Sequence, residues 1–156
     1  MRGRGAPLAI LRCGPCAGAK PLAEAASLLA SLTVVPATVP CQADATHLCL
    51  AGGRFEVSTV WETSSGMSGA GQAVPLAPAG VTQPDTGYFW FFASANVELV
   101  IKVLDGTGTN GHFWVFYGAL SDVEYTITVT DTTTGSVQTY FNSQGQLASV
   151  GDTSAF

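Results

Sequence analysis

The sequence predicts an all-β fold, an antiparallel two-sheet sandwich of immunoglobulin-like or jelly-roll type with about seven strands. From Gly87 to Gly135, aromatic-rich apolar runs alternate with Gly, Asn and Asp turns. Period-two runs present one face to a core, and the breakers let the chain reverse. Charged residues are only 11% of the 156-residue chain, which suits a sparsely charged, β-rich surface and not a disordered segment. No helical pattern of roughly ten residues separates the runs, which argues against a parallel α/β sheet.

Residues 1–40 are rich in Ala, Pro and Gly and read as a leader or linker, irregular or partly helical, with a short helix over Pro21 to Leu32. Two windows there only partly resemble a secretory signal: Arg12 and prolines interrupt the first, and Glu24 spoils the second. The β-module is expected over residues 41–142. Phe55, Val57, Thr59 and Trp61 alternate with Glu56, Ser58, Val60 and Glu62, a strand with its odd positions inward. Ser64 to Gly71 reads as a loop of small residues, and Gln72 to Leu76 as a short strand that Pro75 suits to an edge. Gly87 to Phe92 carries aromatics on both faces and is expected to be a central strand covered on both sides. After the turn at Ala93 to Asn96, Val97, Leu99, Ile101 and Val103 point one way. A glycine-rich turn over Asp105 to Gly111 leads into His112 to Tyr117. Val123, Tyr125, Ile127 and Val129 then alternate with Glu124, Thr126, Thr128 and Thr130. A Thr134–Gly135 turn leads to a last strand at Ser136 to Phe141, and residues 143–156 read as a loosely held tail.

The net charge of -5 hides a division along the chain. Residues 1–40 hold Arg2, Arg4, Arg12 and Lys20 against Glu24, whereas residues 41–156 hold Arg54 and Lys102 against ten acids, a charge of -8. An acidic module lacks the clustered cations that displace counterions from nucleic acid, or that adsorb to anionic membranes. No uninterrupted apolar window reaches the roughly 18 residues needed to cross a bilayer, so membrane insertion is not expected.

Four constellations invite chemistry. Cys13-Gly-Pro-Cys16 has the spacing of a redox motif, but it lacks the preceding strand and following helix that lower a thiol pKa. Cys41 and Cys49, with seven residues between them, are read as a disulfide closing a small loop in preference to free buried thiols. The Asp105 to Gly111 turn has one carboxylate where a calcium loop needs several, so no metal is expected. The strand acids Glu56, Glu62, Glu98 and Glu124 fall on outward positions, and His112 opens a strand without a nucleophile beside it in sequence, so no catalytic residue is expected. Trp90 and Trp114 are the aromatics that stack on sugar rings if one sheet face is exposed. The reading preferred here puts both in the core, the commoner place for large aromatics in β-domains.

Several longer strings carry a resemblance: CL at Cys49, GRFEV from Gly53, Trp61, GQA from Gly71, TGYFWFF from Thr86 and NVELVIKVLDG from Asn96. NGHFWVF from Asn110, GALSDVEY from Gly118 and TDTTTG from Thr130 continue it. Over residues 41–142 the chain resembles an uncharacterised β-sandwich module of secreted, multidomain bacterial proteins. The resemblance implies a secreted, extracellular location and a pairing of Cys41 with Cys49. It carries no assigned activity. Thr107 stands where relatives often have a cysteine, so no role of that thiol transfers.

The function expected from these readings is a non-catalytic accessory module for display, adhesion or attachment, without cofactors, whose partners are other domains of a secreted protein or cell-surface components. The alternative is a carbohydrate-binding module that takes polysaccharide on exposed aromatics, and a small hydrolase is the distant one.

Overall fold

The structure, a computed structural model, describes residues 39–81 and 84–156. The expectations for residues 1–38, including the helix at Pro21 to Leu32 and the Cys13–Cys16 motif, lie outside the described residues.

Among the described residues ten strands form two antiparallel sheets, so the all-β two-sheet sandwich stands. The first sheet holds β1 (Leu48–Leu50), β2 (Phe55–Glu62), β8 (Glu124–Asp131) and β9 (Val137–Asn142) in that order, and β3 (Ser68–Ala70) pairs with the far end of β2. The second runs β4 (Gln72–Pro75), β5 (Thr86–Trp90), β6 (Leu99–Gly106), β7 (His112–Ala119) and β10 (Ser149–Asp152), with β4 and β10 at its edges. Pro75 does sit on an edge strand, where its missing N–H costs the sheet no ladder bond. The Asp105 to Gly111 turn contains one helical turn, α1 (Thr107–Asn110), closed by Gly111 at φ 83°.

The period-two reading places the core correctly. Phe55, Val57, Thr59 and Trp61 of β2 and Tyr125, Ile127 and Val129 of β8 are buried against Phe89, Leu99, Ile101, Val103, Val115 and Tyr117 of the second sheet. Each large apolar side chain so buried is worth roughly 1.5–3 kcal/mol before ordering entropy is subtracted. Thr59 Oγ1 donates to the Thr126 carbonyl at 3.0 Å, so its burial leaves no unmet donor, whereas the Trp61 Nε1–H and the Tyr125 hydroxyl are buried without a hydrogen-bond partner.

Four local expectations change. β5 has one buried face, not two: Gly87, Phe89 and Phe91 are buried, Tyr88 and Trp90 are half-buried, and Phe92 is exposed. Aromatic residues on both sides of a strand leave its covering undecided, and no third layer lies over this sheet among the described residues. β1 and β3 supply strands where no alternation is visible, because each is three residues long and pairs only with β2. Gly69 of β3 faces the Trp61 indole, where a Cβ would come to 3.0 Å of Cζ2.

Glu98, expected to face water, is only 4% exposed. Glu98 precedes β6, its N–H donates to the Phe89 carbonyl at 3.0 Å, and Asn96 Nδ2 donates to its carboxylate. The turn therefore folds it under the strand ends instead of continuing the alternation.

The segment after Asn142, expected to be loose, is tied down at several points. β10 pairs with β7, and the Phe156 carbonyl accepts the Phe113 N–H at 2.9 Å. The Phe156 ring lies 5.0 Å from that of Phe55, and Tyr140 donates to Asp152 Oδ2 at 3.0 Å. Asn142, 6% exposed, donates from Nδ2 to the Gln146 carbonyl at 2.9 Å and anchors the turn that starts this return.

Candidate functional site

The two sheets present unlike outer faces to solvent. On the first sheet the register lines up Glu56, Thr130 and Val137, then Ser58, Thr128 and Thr139, then Val60, Thr126 and Phe141. Hydroxyls are the commonest groups, as expected of a solvated antiparallel face, with Val60, Val137 and Phe141 exposed among them. On the second sheet the outward rows are Val74, Tyr88, Val100, Gly118 and Ser149, then Thr86, Lys102, Phe116 and Gly151, then Leu104 and Trp114. Trp90 stands opposite Gln72 in the row on the other side of Tyr88. Tyr88, Trp90, Val100, Leu104, Trp114 and Phe116 are all half-buried there, and Lys102 is the only charged residue in these rows.

Both sequence-predicted tryptophans therefore lie on this outer face, and neither is in the core. The buried tryptophan is Trp61. Trp90 and Trp114 are not brought together: two rows lie between theirs, so they stand three two-residue steps apart along the strands, or about 20 Å at roughly 3.4 Å per residue. Trp114 is held in place. Its Nε1 donates to Asn110 Oδ1 at 2.8 Å, and a Cβ at Gly106 would fall 2.1–2.7 Å from three atoms of its indole. Gly106 thus lets the ring lie over the β6 backbone and turn its other side outward. The Phe116 ring meets Trp114 nearly edge-on at 6.3 Å, and the Lys102 ammonium lies 5.1 Å from the Phe116 centroid, a cation–π distance.

Between the two tryptophans a groove of about 410 Å³ crosses β5, β6, β7 and β10. Thr86, Val100, Lys102, Phe116, Gly118 and Ser149 are among its lining residues. Sequence reasoning found Trp90 and Trp114 but missed Phe116, Lys102 and the glycines. Gly106 and Gly118, inside otherwise apolar strands, were the available signal of close approach or open space.

The other expected positions are accounted for. Cys41 and Cys49 are joined in a disulfide with their Cα atoms 5.7 Å apart. Asp105 Oδ1 accepts the Thr107 N–H at 2.9 Å and its hydroxyl at 2.6 Å, bonds that pull the carboxyl below its ordinary range. It braces the turn. His112 is exposed and its Nδ1 lies 3.1 Å from the Phe156 carbonyl, which ties down the C-terminal segment. Glu98 and Asp122 line a second cleft, of about 570 Å³, with Phe92, Leu120 and Leu147 at its edge. No hydrogen bond joins the two acids among the described residues, and no cluster of three or more His, Cys, Asp or Glu residues suited to a metal occurs among them.

The chain matches no family model, no curated protein and no solved structure.

Proposed function

We propose that this chain is a non-catalytic accessory module of a secreted bacterial protein, working by attachment, with the outer face of its second sheet as the contact surface. The observation that carries this reading is the contrast between the two faces. The same fold keeps one outer face mainly hydroxylic, with Val60, Val137 and Phe141 as its exposed apolar side chains, while the other holds six half-buried large apolar residues and one cation. Large apolar patches are rare on solitary soluble domains and mark interaction surfaces. The disulfide agrees with an oxidising, extracellular compartment.

The test is co-sedimentation of the full chain with isolated bacterial cell walls and with insoluble polysaccharides. Trp90→Ala and Trp114→Ala on the second sheet are compared with Val60→Ala and Phe141→Ala on the first. The reading expects tenfold or greater loss from the first pair alone. Equal losses from both pairs, or no sedimentation with any matrix, would sink it.

Among attachment functions, carbohydrate binding is favoured by one specific observation. Trp90 and Trp114 sit half exposed on one face, and Trp114 is fixed over Gly106 with a side turned outward. An aromatic ring pre-positioned in this way offers the electron-rich face that the C–H side of a sugar ring meets.

A further inference from the structure

We infer that a neutral polysaccharide chain binds across the second sheet in the groove floored by Val100, Gly118 and Ser149, with Lys102, Thr86 and Ser149 donating hydrogen bonds to its hydroxyls. The inference rests on the carbohydrate reading above and assigns it a site.

The floor is one cross-strand row. Val100 of β6 stands opposite Gly118 of β7, and Gly118 opposite Ser149 of β10. Lys102 and Phe116, paired in the adjacent row, rise beside it. The groove exists because β7 has no side chain at 118. A Cβ there would meet no atom within 4 Å, and Gly118 is not among the residues with positive φ. Neither packing nor backbone conformation requires glycine at this position, unlike Gly87 or Gly106, whose neighbours fill the space. Its effect is to leave an open channel of about 410 Å³, within the roughly 300–1,000 Å³ of small-molecule sites.

The lining has the two halves of carbohydrate recognition. Phe116 and Val100 give apolar surface. The hydroxyls of Thr86 and Ser149 make no hydrogen bond to protein among the described residues, and Lys102, whose ammonium lies over the Phe116 ring, has no acidic partner there, so all three keep hydrogen-bond donors to offer. A purely apolar protein partner would leave them unpaired on burial, at a cost of roughly 1–3 kcal/mol each.

Charge selects a neutral polymer. Residues 41–156 carry -8 and would repel a polyanion, while among the described residues Lys102 is the only charge in the outward rows of this face, a cation that disfavours a polycation. The groove also lies between Trp90, one row from its floor on β5, and Trp114, one row beyond Phe116. A polymer filling it can extend onto either indole.

Affinity electrophoresis of the full chain tests this in gels containing hydroxyethylcellulose, glucomannan or xyloglucan, with alginate as the polyanion. The wild type is expected to be retarded by at least one neutral polymer and not by alginate. Gly118→Leu, which fills the groove where the fold has room, is expected to weaken retardation tenfold or more with an unchanged melting temperature. Phe116→Ala and Lys102→Gln weaken it as well. Retardation undiminished in Gly118→Leu overturns the groove. If Trp90→Ala and Trp114→Ala abolish it in that case, the carbohydrate reading survives without this site. Retardation by alginate alone, or by no polymer, overturns both. Sedimentation showing that Gly118→Leu converts a dimer to a monomer assigns the groove to a second copy of the chain and overturns the polysaccharide.

Discussion

Replacing Arg54 by Met should destabilise the domain by about 3–4 kcal/mol at neutral pH, because it strands a buried carboxylate. Asp131 has a side chain only 1% exposed, and Arg54 meets it with both ends of the guanidinium, Nε to Oδ1 at 3.0 Å and Nη2 to Oδ2 at 2.6 Å. Removing one member of a buried pair costs roughly 3–5 kcal/mol. The lower part of that range applies because Arg54 is itself 33% exposed, so water reaches the gap that the guanidinium leaves. The guanidinium also stacks on Phe113 at 4.2 Å, and losing that contact adds about 0.5–1 kcal/mol. For a domain of about 120 residues the sum corresponds to a fall in melting temperature of about 12–16 °C. Calorimetry at pH 7 measures it.

A pH series separates this cause from simple loss of packing. Burial alone would raise the Asp131 pKa, but the Arg54 guanidinium, the Thr133 N–H and the Thr134 hydroxyl outweigh it and hold the carboxyl below its ordinary 3.8. A folded-state pKa depressed in this way contributes stability that is full above the unfolded value and is lost as pH falls below about 4. In Arg54→Met the carboxyl keeps its burial without its cation, so it takes a proton readily and acid relieves the strain. The gap between wild type and variant should therefore shrink by more than half between pH 7 and pH 3. A gap under about 1 kcal/mol at pH 7, below the range for a broken buried pair, or one that does not change with pH, would refute the reasoning.

Reducing the Cys41–Cys49 bridge, or replacing both cysteines by Ser, frees a short loop and should cost about 2.5 kcal/mol, read as a fall in melting temperature of roughly 10 °C. Two glycine-to-alanine changes in the second sheet should part company in urea denaturation. Gly87→Ala puts a Cβ 2.5 Å from Leu48 Cδ1 and should lose about 1–3 kcal/mol, whereas Gly118→Ala meets open space and should be neutral or slightly stabilising. Phe156→Ala removes the ring packed on Phe55 and should lose about 1.5–3 kcal/mol. An unchanged midpoint would mean that the terminal residues are not docked in solution.

The core was legible because burial on one face of a strand imposes period two: β2 and β8 obey it residue by residue, and β6 obeys it from Leu99 to Leu104. What was not legible depended on backbone pairing or on turns. β10 holds its edge through ladder bonds to β7, and its residues Ser149 to Asp152 include only Val150 as a large apolar side chain. Such an edge strand has no compositional signature. Glu98 looked outward because counting from Leu99 assumes that the strand has already begun, yet the turn from Ala93 to Asn96 still governs its side chain.

The site was half legible for a related reason. Alternation separates Trp90 from Phe89, and Trp114 from Val115, without saying which of each pair faces water, because both faces of these strands are apolar. Burial chooses one face: Phe89 and Val115 meet the first sheet, and the tryptophans are left outside. A sheet covered on both sides would have buried Trp90, Trp114 and Phe116 together with the core. With one partner sheet, the same residues become a surface whose apolar area the fold does not use. The glycines give that surface its relief. Gly106 is filled by the Trp114 indole and Gly118 by no protein atom, so one presents an aromatic plate and the other an open channel two rows away. A protein that needed only solubility would gain from a polar side chain at 118, and the proposed binding in the groove would account for leaving it empty.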